Sequence, residues 1–356
     1  MLRQLLYRPF FIRLLNWEYW PFHFVYGPIY LYWVWLCIRA RSIFFFNAAN
    51  PSIVNGGFLM ESKKSIYDLM PAASYPPTLF FKAGIHFAEV IKSVRNKNIK
   101  FPLIIKPDIG MQGRGVKKIE TEDELAKYVT QLKVNFLIQA FVPFEKEIGI
   151  FYYRYPDETT GHISGMVAKD FLSVRGDGKS TIERLLLRDK RHILQLGVLQ
   201  KTKELNLQEV LADQEKRELV PYGNHARGAK FIDASHLINA ELLHTIDTIC
   251  HCVPGFYYGR LDIRYRDWEE LCAGKNFSVI ELNGAGSEPT HMYDPGHSLL
   301  YAWKEIIRHW NILARISRMN HKLHCIPYMS FPEGLKMFRE NKEYLKLLNS
   351  SQEQMD

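Results

Sequence analysis

The sequence predicts an α+β fold built from antiparallel sheets. Strand-like apolar runs follow one another in pairs, 147–155 with 162–171 and 257–265 with 277–283, and no helical pattern long enough for a crossover separates the members of a pair. Short connections join antiparallel neighbours, whereas parallel strands need a crossover of a dozen or more residues, usually a helix. With 356 residues, the chain is long enough for two or three subdomains.

The remaining elements follow from local patterns. Residues 101–106 and 136–142 have the apolar character of buried strands, and 239–253 carry an apolar stripe at helical spacing. Capping boxes that begin at Thr121 and Ser180 predict two more helix starts. These helices stand apart from the paired strand runs, so the layout is not the regular strand–helix alternation of a parallel sheet.

The first 46 residues concentrate basic and aromatic side chains. They contain five arginines against one glutamate and 16 of the 48 aromatic residues, in a chain of net charge +8. This combination indicates a membrane surface rather than a nucleic-acid groove. The uncharged stretch 24–38 is only 15 residues long, and a spanning helix needs ~20. We therefore expect a monotopic or re-entrant segment at the cytoplasmic membrane face; the alternative is an aromatic arm packed on the protein's own core.

The five cysteines form no repeating framework, so we expect reduced thiols in a cytoplasmic protein. Cys250 and Cys252 flank His251, and His324 precedes Cys325, but this spacing matches no common zinc pattern. Cys250 also continues the apolar stripe of the predicted helix, which favours a place in the core.

Charged and amide side chains alternate along the last two predicted strands. Side chains two residues apart share a face of a strand, so Arg260 and Asp262 point the same way, as do Glu281 and Asn283. If these strands pair, one face carries an arginine, two carboxylates and a carboxamide. Oxygen ligands of this kind suit Mg²⁺, which shares its coordination with substrate phosphates. The alternative is an exposed sheet face with ion pairs.

A glycine-bearing loop follows the strand that ends in Lys106. Gly110, Gly113 and Gly115 let backbone N–H groups turn toward phosphate oxygens, and the lysine adds a point charge. The loop is not a P-loop, because no Gly-Lys-Ser/Thr follows it. A glycine loop alone indicates little, but its place after a lysine-ending strand and before a strand with a glutamate strengthens the prediction of a phosphate site.

The order of these motifs resembles the ATP-grasp superfamily over residues 78–310. The series runs FPLIIKP, GMQGRGV, FLIQAFV, EKEIGIFYYRYP, GRLDIRY and VIELN; each is common alone, and the ordered set is specific. The nearest likeness is to D-alanine–D-alanine ligases, with a local similarity to cyanophycin synthetase at 176–181. The resemblance implies an ATP-grasp fold, in which two α+β subdomains with antiparallel sheets enclose the nucleotide, preceded here by the aromatic helical arm.

The resemblance also divides the chain into segments. The expected segments are a hydrophobic aromatic arm (1–46), a Pro- and Gly-rich connector with a short helix (47–77), an ATP-grasp N-terminal subdomain (78–142), an ATP-grasp C-terminal subdomain (143–320) and a helical tail (321–356).

Several motif residues acquire an implied role in binding ATP. Lys106 resembles the lysine that reaches the phosphates of the nucleotide, and Glu147 resembles the acid that binds the ribose. Lys169 would be a phosphate contact from the second hairpin. The mobile lid loop would contain Gly110, Gly113 and Gly115, and the hinge beside the adenine edge would consist of Gln139, Ala140, Phe141 and Val142.

The reacting end of the site is implied in the same way. Asp262, Glu281 and Asn283 look like the ligands of two Mg²⁺ ions. Arg260 looks like the arginine that stabilises the acyl-phosphate and its tetrahedral successor. Lys82 is the candidate for an earlier phosphate lysine, with a plain surface lysine as the alternative.

Two departures from the family pattern concern the substrate. The arm and the connector stand where the family has an N-terminal substrate domain, and the loop after Asn283 reads Gly-Ala-Gly-Ser-Glu-Pro-Thr. The resemblance therefore does not imply D-alanine as the substrate. Candidate substrate contacts, each with an ordinary surface role as an equal alternative, are His225, Arg227, Ser287 and His291.

These features together predict an ATP-dependent carboxylate–amine ligase, with a thiol or hydroxyl as other nucleophiles, that acts through an acyl-phosphate. Its carboxylate would be a small molecule or a lipid-linked, amphiphilic one met at the membrane, and no nucleic-acid partner is expected. Two alternatives stay open: an ATP-grasp phosphotransferase, and a non-catalytic membrane-associated adaptor that binds nucleotide.

Overall fold

Two antiparallel sheets organise the chain, and a helical N-terminal arm and two long C-terminal helices pack against them. The computed structural model describes residues 7–110, 113–200, 205–220, 223, 225 and 228–352. Within these residues the helices are α1 (Pro9–Leu15), α2 (Phe22–Tyr26), α3 (Tyr30–Ala40), α4 (Lys63–Leu69), α5 (Phe87–Asn96), α6 (Glu122–Gln131), α7 (Ile182–Leu186), α8 (Lys190–Leu199), α9 (Ala240–His251), α10 (Trp268–Cys272), α11 (Leu299–Leu323) and α12 (Phe331–Gln352). The strands are β1 (Thr78–Phe81), β2 (Leu103–Pro107), β3 (Lys117–Ile119), β4 (Phe136–Ala140), β5 (Lys146–Tyr153), β6 (His162–Asp170), β7 (Ser173–Arg175), β8 (Lys216–Glu218), β9 (Lys230–Asp233), β10 (Tyr258–Tyr265) and β11 (Phe277–Asn283).

The strand order confirms the predicted α+β class with antiparallel sheets. A four-stranded sheet has the order β1-β4-β2-β3, a five-stranded sheet the order β11-β10-β5-β6-β9, and β7 pairs with β8. Every ladder between these strands is antiparallel. Apolar patterning located β2, β4, β5, β6, β10 and β11. It did not locate the short strands β1, β3, β7, β8 and β9, or the short helix α10 inside the connection before β11.

Each sheet has its own apolar core on one face. In the four-stranded sheet, Ile105 of β2 packs with Leu125 of α6. In the five-stranded sheet, Ile148 of β5 packs with Ile246 and Cys250 of α9. Because side chains alternate across a strand, the residues between these buried positions point to the opposite face. Each sheet therefore has one face covered by helices, and the cleft opens on the opposite face; in the five-stranded sheet, part of that face, around Phe151, is covered by α11 and the arm.

Helix capping follows the sequence at one predicted site and differs by one residue at the other. The Thr121 hydroxyl accepts a hydrogen bond from the N–H three residues on and caps α6, as predicted. The helix after 180 is capped by Thr181, not by Ser180. Ser180 is unavailable because its N–H and hydroxyl both donate to Asp177, at 2.7 and 2.9 Å. The carboxylate of the preceding glycine turn thus moves the start of α7 by one position.

The arm packs on the protein with its inner face and exposes apolar side chains on its outer face. Ile12, Tyr26 and Leu36 are buried, and Trp303 of α11 donates its indole N–H to the Val25 carbonyl at 2.7 Å. Core packing is therefore confirmed for the inner face. Among the described residues no helix combines the length and the apolar character needed to cross a bilayer. Exposed apolar side chains of the arm include Phe10, Leu14, Leu15, Phe22, Phe24, Leu31, Val34, Trp35, Ile38 and Ile43.

The last helix, α12, links the arm to the four-stranded sheet. Met337 belongs to the same apolar cluster as Phe44 at the end of the arm. Further along, Leu348 is fully buried in the core of the four-stranded sheet, and the Tyr344 hydroxyl donates to the Ile109 carbonyl at 2.6 Å. The predicted tail therefore supports the base of the glycine loop.

Candidate active site

A cleft of about 550 Å³ opens between the uncovered faces of the two sheets. Two antiparallel sheets that enclose a cleft agree with the arrangement expected from the sequence, and the predicted α+β class with antiparallel sheets is confirmed. Ile104 and Lys106 of β2 face Arg260 and Asp262 of β10 across this space. The predicted site residues on its wall are Lys106, Gly110, Gly113, Gln139, Ala140, Phe141, Val142, Glu147, Lys169, His225, Arg260, Asp262, Glu281, Asn283 and Ser287.

The pairing of β10 with β11 sets the geometry of the acidic residues. Asp262 lies directly opposite Glu281, and Arg260 directly opposite Asn283. Directly opposite residues of an antiparallel pair share one face, with Cβ atoms about 4.5–5.5 Å apart. The ladder shifts only after Asp262, between that residue and Ile263. The irregularity therefore leaves the four side chains together, as the alternation along the two strands predicted.

Charged side chains of the second sheet form a connected network at the base of the cleft. Lys169 Nζ lies 2.7 Å from Glu147 Oε1 and 3.2 Å from Asp262 Oδ2. Arg260 Nε lies 3.0 Å from Asp262 Oδ1, and Arg264 Nε lies 3.3 Å from Glu147 Oε2. Charges this deeply buried are retained in proteins when they are paired and hydrogen-bonded. The network meets that condition.

The network favours the charged forms of Asp262 and Lys169. Burial alone would raise the pKa of Asp262, but Arg260 and Lys169 hold it below its ordinary value. Burial alone would lower the pKa of Lys169, but Asp262 and Glu147 raise it above the ordinary value. Two cations that are already desolvated and fixed can stabilise phosphate oxygens without reorganising as charge develops.

Glu281 and Asn283 are less committed to protein partners than Asp262. Glu281 Oε1 has a loose ion pair with Lys63 Nζ at 3.5 Å. The side-chain nitrogen of Asn283 is buried and has no hydrogen-bond partner among the described residues. A buried polar atom without a partner is costly unless a ligand or water satisfies it. Two carboxylates and this amide on one face form an oxygen-rich set that fits Mg²⁺.

Lys106 is buried in the opposite wall. Its Nζ donates to the Tyr67 hydroxyl and to Gln139 Oε1, both at 2.9 Å, and to the Ile280 carbonyl at 3.1 Å. The bond to Ile280 reaches β11, so the lysine connects the two sheets. Burial lowers the pKa of Lys106 to about 8. All three acceptors are neutral, so an anionic ligand nearby would stabilise the protonated form of Lys106.

The glycine loop occupies the rim of the cleft. Gly113 and Gly115 have φ of +67° and +68°, a conformation that favours glycine. Gly110 and Gly113 line the cleft, whereas Gly115 lies behind it, against Pro107. A Cβ atom at Gly115 would stand 2.7 Å from Pro107 Cγ, so this glycine is required for packing the loop on β2. Gly115 therefore packs the loop on β2 and does not line the cleft, and its predicted part in nucleotide binding stays a prediction.

The predicted hinge forms the edge of the cleft between the sheets. Gln139 is buried and bonds Lys106 through Oε1 and Thr78 through Nε2. The Ala140 N–H donates to the Pro77 carbonyl at 2.9 Å, and the Val142 carbonyl accepts from Arg264 at 3.5 Å. The role of these residues at an adenine edge stays a prediction.

The four predicted substrate contacts fall in three kinds of place. His225 and Ser287 line the cleft, and the buried Ser287 hydroxyl has no partner among the described residues. His291 does not face the cleft: it is 2% exposed, and its Nε2 lies 3.0 Å from Glu305 Oε2. The prediction that His291 contacts substrate is wrong because packing against α11 encloses it. Arg227 lies outside the described residues.

Several cleft residues carried no pattern that singled them out. Lys63 reaches Glu281 because α4 lies beside β11, whereas the predicted lysine Lys82 is exposed and does not line the cleft. The arm contributes Glu18, which was visible in the sequence as the single acid among five arginines. Further lining residues that the sequence patterns did not identify are Trp20, Phe22, Phe58, Glu61, Arg264, Glu288 and Tyr293.

Comparisons with known proteins add only distant likenesses. No family model and no curated sequence matches the chain. The chain is similar to a bifunctional glutathione synthetase from Pasteurella multocida (15% identity, TM-score 0.38, 71% of this chain and 38% of that one). It is also similar to the VanG D-Ala:D-Ser ligase from Enterococcus faecalis (15%, 0.40, 70% and 61%) and to D-alanine–D-alanine ligase from Bacillus anthracis complexed with ATP (14%, 0.40, 74% and 67%). The chain thus spans less than two thirds of the first two proteins, and likenesses this distant establish no activity.

Proposed function

We propose that this chain is an ATP-grasp ligase that activates a carboxylate with ATP and transfers the acyl group to an amine. The observation that carries the proposal is the convergence of Lys106, Lys169 and Arg260 with an oxygen-rich face in one cleft between two antiparallel sheets. An exposed sheet face with ion pairs is a poorer account, because Asp262 and its partners are buried and enclosed.

The cleft divides the tasks of ATP binding between its walls. Lys106 and the backbone around Gly110 and Gly113 would bind phosphate oxygens from one side, and Lys169 from the other. The hinge 139–142 would lie against the adenine. Glu147 would bind the ribose from the end of the charged network, where Lys169 and Arg264 already hold it in place.

The metal sites would use Asp262, Glu281 and Asn283. Their fit rests on the shared strand face, which carries two carboxylates and the amide oxygen of Asn283; the partnerless amide nitrogen of Asn283 would suit a phosphate oxygen instead. Two Mg²⁺ ions, when bound there, would neutralise the charge of the terminal phosphates. Lys63 beside Glu281 would assist by keeping that carboxylate oriented toward the cleft.

The proposed reaction has two steps. A carboxylate oxygen of the substrate attacks the γ-phosphorus of ATP, the bond to the β–γ bridging oxygen breaks, and ADP leaves. The amine nitrogen then attacks the acyl carbon, the acyl–oxygen bond to phosphate breaks, inorganic phosphate leaves, and the nitrogen gives a proton to solvent. Arg260 would stabilise the oxyanion of the tetrahedral state, and closure of the glycine loop would exclude water from the acyl-phosphate.

The test is a screen for ADP release over carboxylates with hydroxylamine as a small general nucleophile. A ligase of this kind traps the acyl-phosphate as a hydroxamate, and its formation should require Mg²⁺. ADP release with a stable phosphorylated product and no hydroxamate would instead identify a phosphotransferase. Absence of Mg·ATP binding by calorimetry would refute both enzymatic functions and favour a non-catalytic adaptor built on a degenerate nucleotide-binding fold.

We further propose that the outer face of the arm rests on an anionic membrane surface, where an amphiphilic carboxylate would be met. The supporting observation is that Leu31, Val34 and Ile38 are exposed in a segment whose described arginines point outward. The arm's one acid, Glu18, is instead paired with Arg191 at 2.7 Å and withdrawn from that face. Exposed apolar side chains beside cations are typical of helices that lie in the interface of anionic bilayers.

Surface substitutions test this better than truncation, because deleting the arm would also remove buried Ile12 and Tyr26. The triple variant Leu31→Ser, Val34→Ser, Ile38→Ser should keep its fold and lose cosedimentation with vesicles that contain phosphatidylglycerol. A matched control replaces the exposed apolar residues Val198 and Leu237, which lie elsewhere on the surface. Equal sedimentation of the wild type with and without vesicles would remove the membrane proposal.

A further inference from the structure

The loop after β11 brings a second carboxylate, Glu288, to the wall of the cleft. We propose that Glu288, together with aromatic residues of the arm, forms a subsite for a primary ammonium group that carries an apolar substituent. This inference rests on the proposed ligase function, because it names the chemical class of the amine that would receive the acyl group.

Two tyrosines hold the Glu288 carboxylate. Oε1 accepts hydrogen bonds from the Tyr26 hydroxyl at 2.5 Å and from the Tyr293 hydroxyl at 3.2 Å. Both donors are neutral, so they orient the carboxylate without cancelling its charge. Among the described residues, no lysine, arginine or histidine forms an ion pair with it. A carboxylate held in this way keeps capacity for an external cation.

Glu288 lies next to Arg260, the residue expected to act in the proposed reaction. Arg260 reaches the main-chain carbonyl of Glu288, with Nη1 3.4 Å from the oxygen, while its other nitrogens bind Asp262. The carboxylate therefore belongs to a residue that directly contacts the arginine expected to stabilise the oxyanion. Arginine and carboxylate form no salt bridge, and their charges attract each other through space. An ammonium bound at Glu288 would stand beside the place where the acyl group is activated, and it would give one proton to solvent before its nitrogen attacks the acyl carbon.

The arm supplies the apolar part of the subsite. Phe22, Trp20 and Val25 line the cleft, and Phe22 stacks on Tyr26 with ring centroids 4.1 Å apart. The connector adds Phe58 to the same lining. Aromatic faces attract an ammonium ion and bury the alkyl chain next to it. An anionic nucleophile would be repelled by the Glu288 carboxylate. A hydrophilic nucleophile would meet the apolar side chains of α2 without hydrogen-bond partners.

Two ligands of matched size test the subsite directly. We would measure binding of n-hexylammonium and of the uncharged n-hexanol to the full chain with Mg²⁺ and a non-hydrolysable ATP analogue, by ligand-observed NMR. The wild type should bind n-hexylammonium at least tenfold more tightly than n-hexanol. Glu288→Gln should remove this preference and leave n-hexanol binding unchanged, because the shape of the wall is retained while its charge is lost.

Two further variants protect the test against a simple folding defect. Tyr26→Phe keeps the aromatic wall but removes one donor to the carboxylate, and it should reduce the preference only two- to fivefold. Glu241→Gln changes an exposed acid on α9, outside the cleft, and should have no effect. Binding of the ATP analogue reports that each variant is folded.

The outcomes separate this inference from the proposed function. If the ATP analogue binds but n-hexylammonium shows no preference over n-hexanol, or if Glu288→Gln keeps the preference, the ammonium subsite is refuted and the ligase proposal stands. If the ATP analogue itself does not bind to the wild type, the ligase proposal fails first.

Discussion

Two charge clusters are each built around a buried carboxylate, Asp262 in one and Glu305 in the other. In the first, Lys169 and Arg260 flank Asp262 at the base of the cleft. In the second, His291 Nε2 is 3.0 Å and Arg308 Nη2 2.6 Å from the Glu305 carboxylate. Both clusters surround a carboxylate with cationic or titratable partners, but only the first faces the 550 Å³ cleft.

The difference concerns what satisfies each polar group. In the second cluster every group has a protein partner: His309 Nδ1 lies 2.8 Å from the Glu305 carbonyl, and its Nε2 lies 2.9 Å from the Ser164 hydroxyl. On the cleft side, Asn283 and Ser287 have buried atoms that lack partners among the described residues. Polar groups left unsatisfied beside a cavity indicate a ligand site, whereas complete pairing inside a helix interface indicates a structural role.

The largest expected effect comes from Glu281→Gln. The substitution keeps the size of the side chain. The ion pair that Glu281 forms with Lys63 is loose, at 3.5 Å, so the melting temperature should change little. Turnover should fall by roughly 10³-fold or more, because the carboxylate charge that would hold the metal is lost. ADP release under saturating Mg·ATP measures the effect.

Glu305→Gln is the matched comparison in the other cluster. Burial alone would raise the pKa of Glu305, but His291 and Arg308 hold it at about 2. Removing this charge weakens the hydrogen bond to buried His291, whereas the exposed Arg308 can be solvated, so the free energy of unfolding should fall by about 1–3 kcal/mol. Turnover per folded molecule should stay near that of the wild type. If Glu281→Gln kept full turnover, or if Glu305→Gln abolished it without unfolding, the assignment of the two clusters would be reversed.

A smaller effect is expected from Lys106→Met. Loss of a charge-assisted bond to phosphate costs about 1.5–3 kcal/mol, which corresponds to roughly 10- to 100-fold weaker ATP binding. Stability should be nearly unchanged, since Tyr67 keeps its bond to the Ile280 carbonyl at 2.6 Å and Gln139 keeps its bond to Thr78. Calorimetry with Mg·ATP analogue measures the affinity.

The pH dependence of ATP binding gives a second test of Lys106. Because the pKa of Lys106 is about 8 in the free protein, its positive charge is complete below that value and is lost as pH rises through it. ATP affinity of the wild type should therefore decline above pH 8, and that of Lys106→Met should not. The exposed lysine variant Lys82→Met should match the wild type at every pH; a wild-type decline that persists in Lys106→Met would assign the titration to another group.

The sequence predicted the parts of the site that depend on strand alternation. Arg260, Asp262, Glu281 and Asn283 share a face because the period of a strand is two, and the ladder is regular where it matters. Lys106 was placed correctly because an apolar run that ends in lysine leaves the charge at the strand end. Such inferences need only the local chain direction and one pairing.

The sequence could not predict what tertiary packing brings in. Lys63 and Glu18 reach the cleft from segments far away in the chain, and nothing in their neighbours specifies that approach. His291 failed for the converse reason, because its enclosure depends on α11, which begins only at Leu299. The arm combined both difficulties: its composition is the same whether a face is buried or exposed, and the structure contains one face of each kind.

The smallest effect concerns His309, which belongs to the enclosed cluster. Burial lowers its pKa to about 3, from an ordinary value of 6.5. The folded state therefore keeps His309 neutral at a pH where the unfolded chain binds a proton. This contribution to stability is complete above pH 6.5 and declines as pH falls toward 3, by at most about 1.4 kcal/mol per pH unit.

His309→Gln should remove that dependence. Between pH 6.5 and 5, before Glu305 with its ordinary value of 4.5 begins to titrate in the unfolded chain, the variant's free energy of unfolding should fall less steeply than that of the wild type. Urea denaturation at four or five pH values measures both slopes. His244→Gln, at an exposed position on α9, should keep the wild-type slope. If the free energy of unfolding changed with pH in parallel for the wild type and His309→Gln, His309 would be able to take up a proton inside the fold. The enclosed cluster would then resemble the cleft, because it would contain a titratable group with access to solvent.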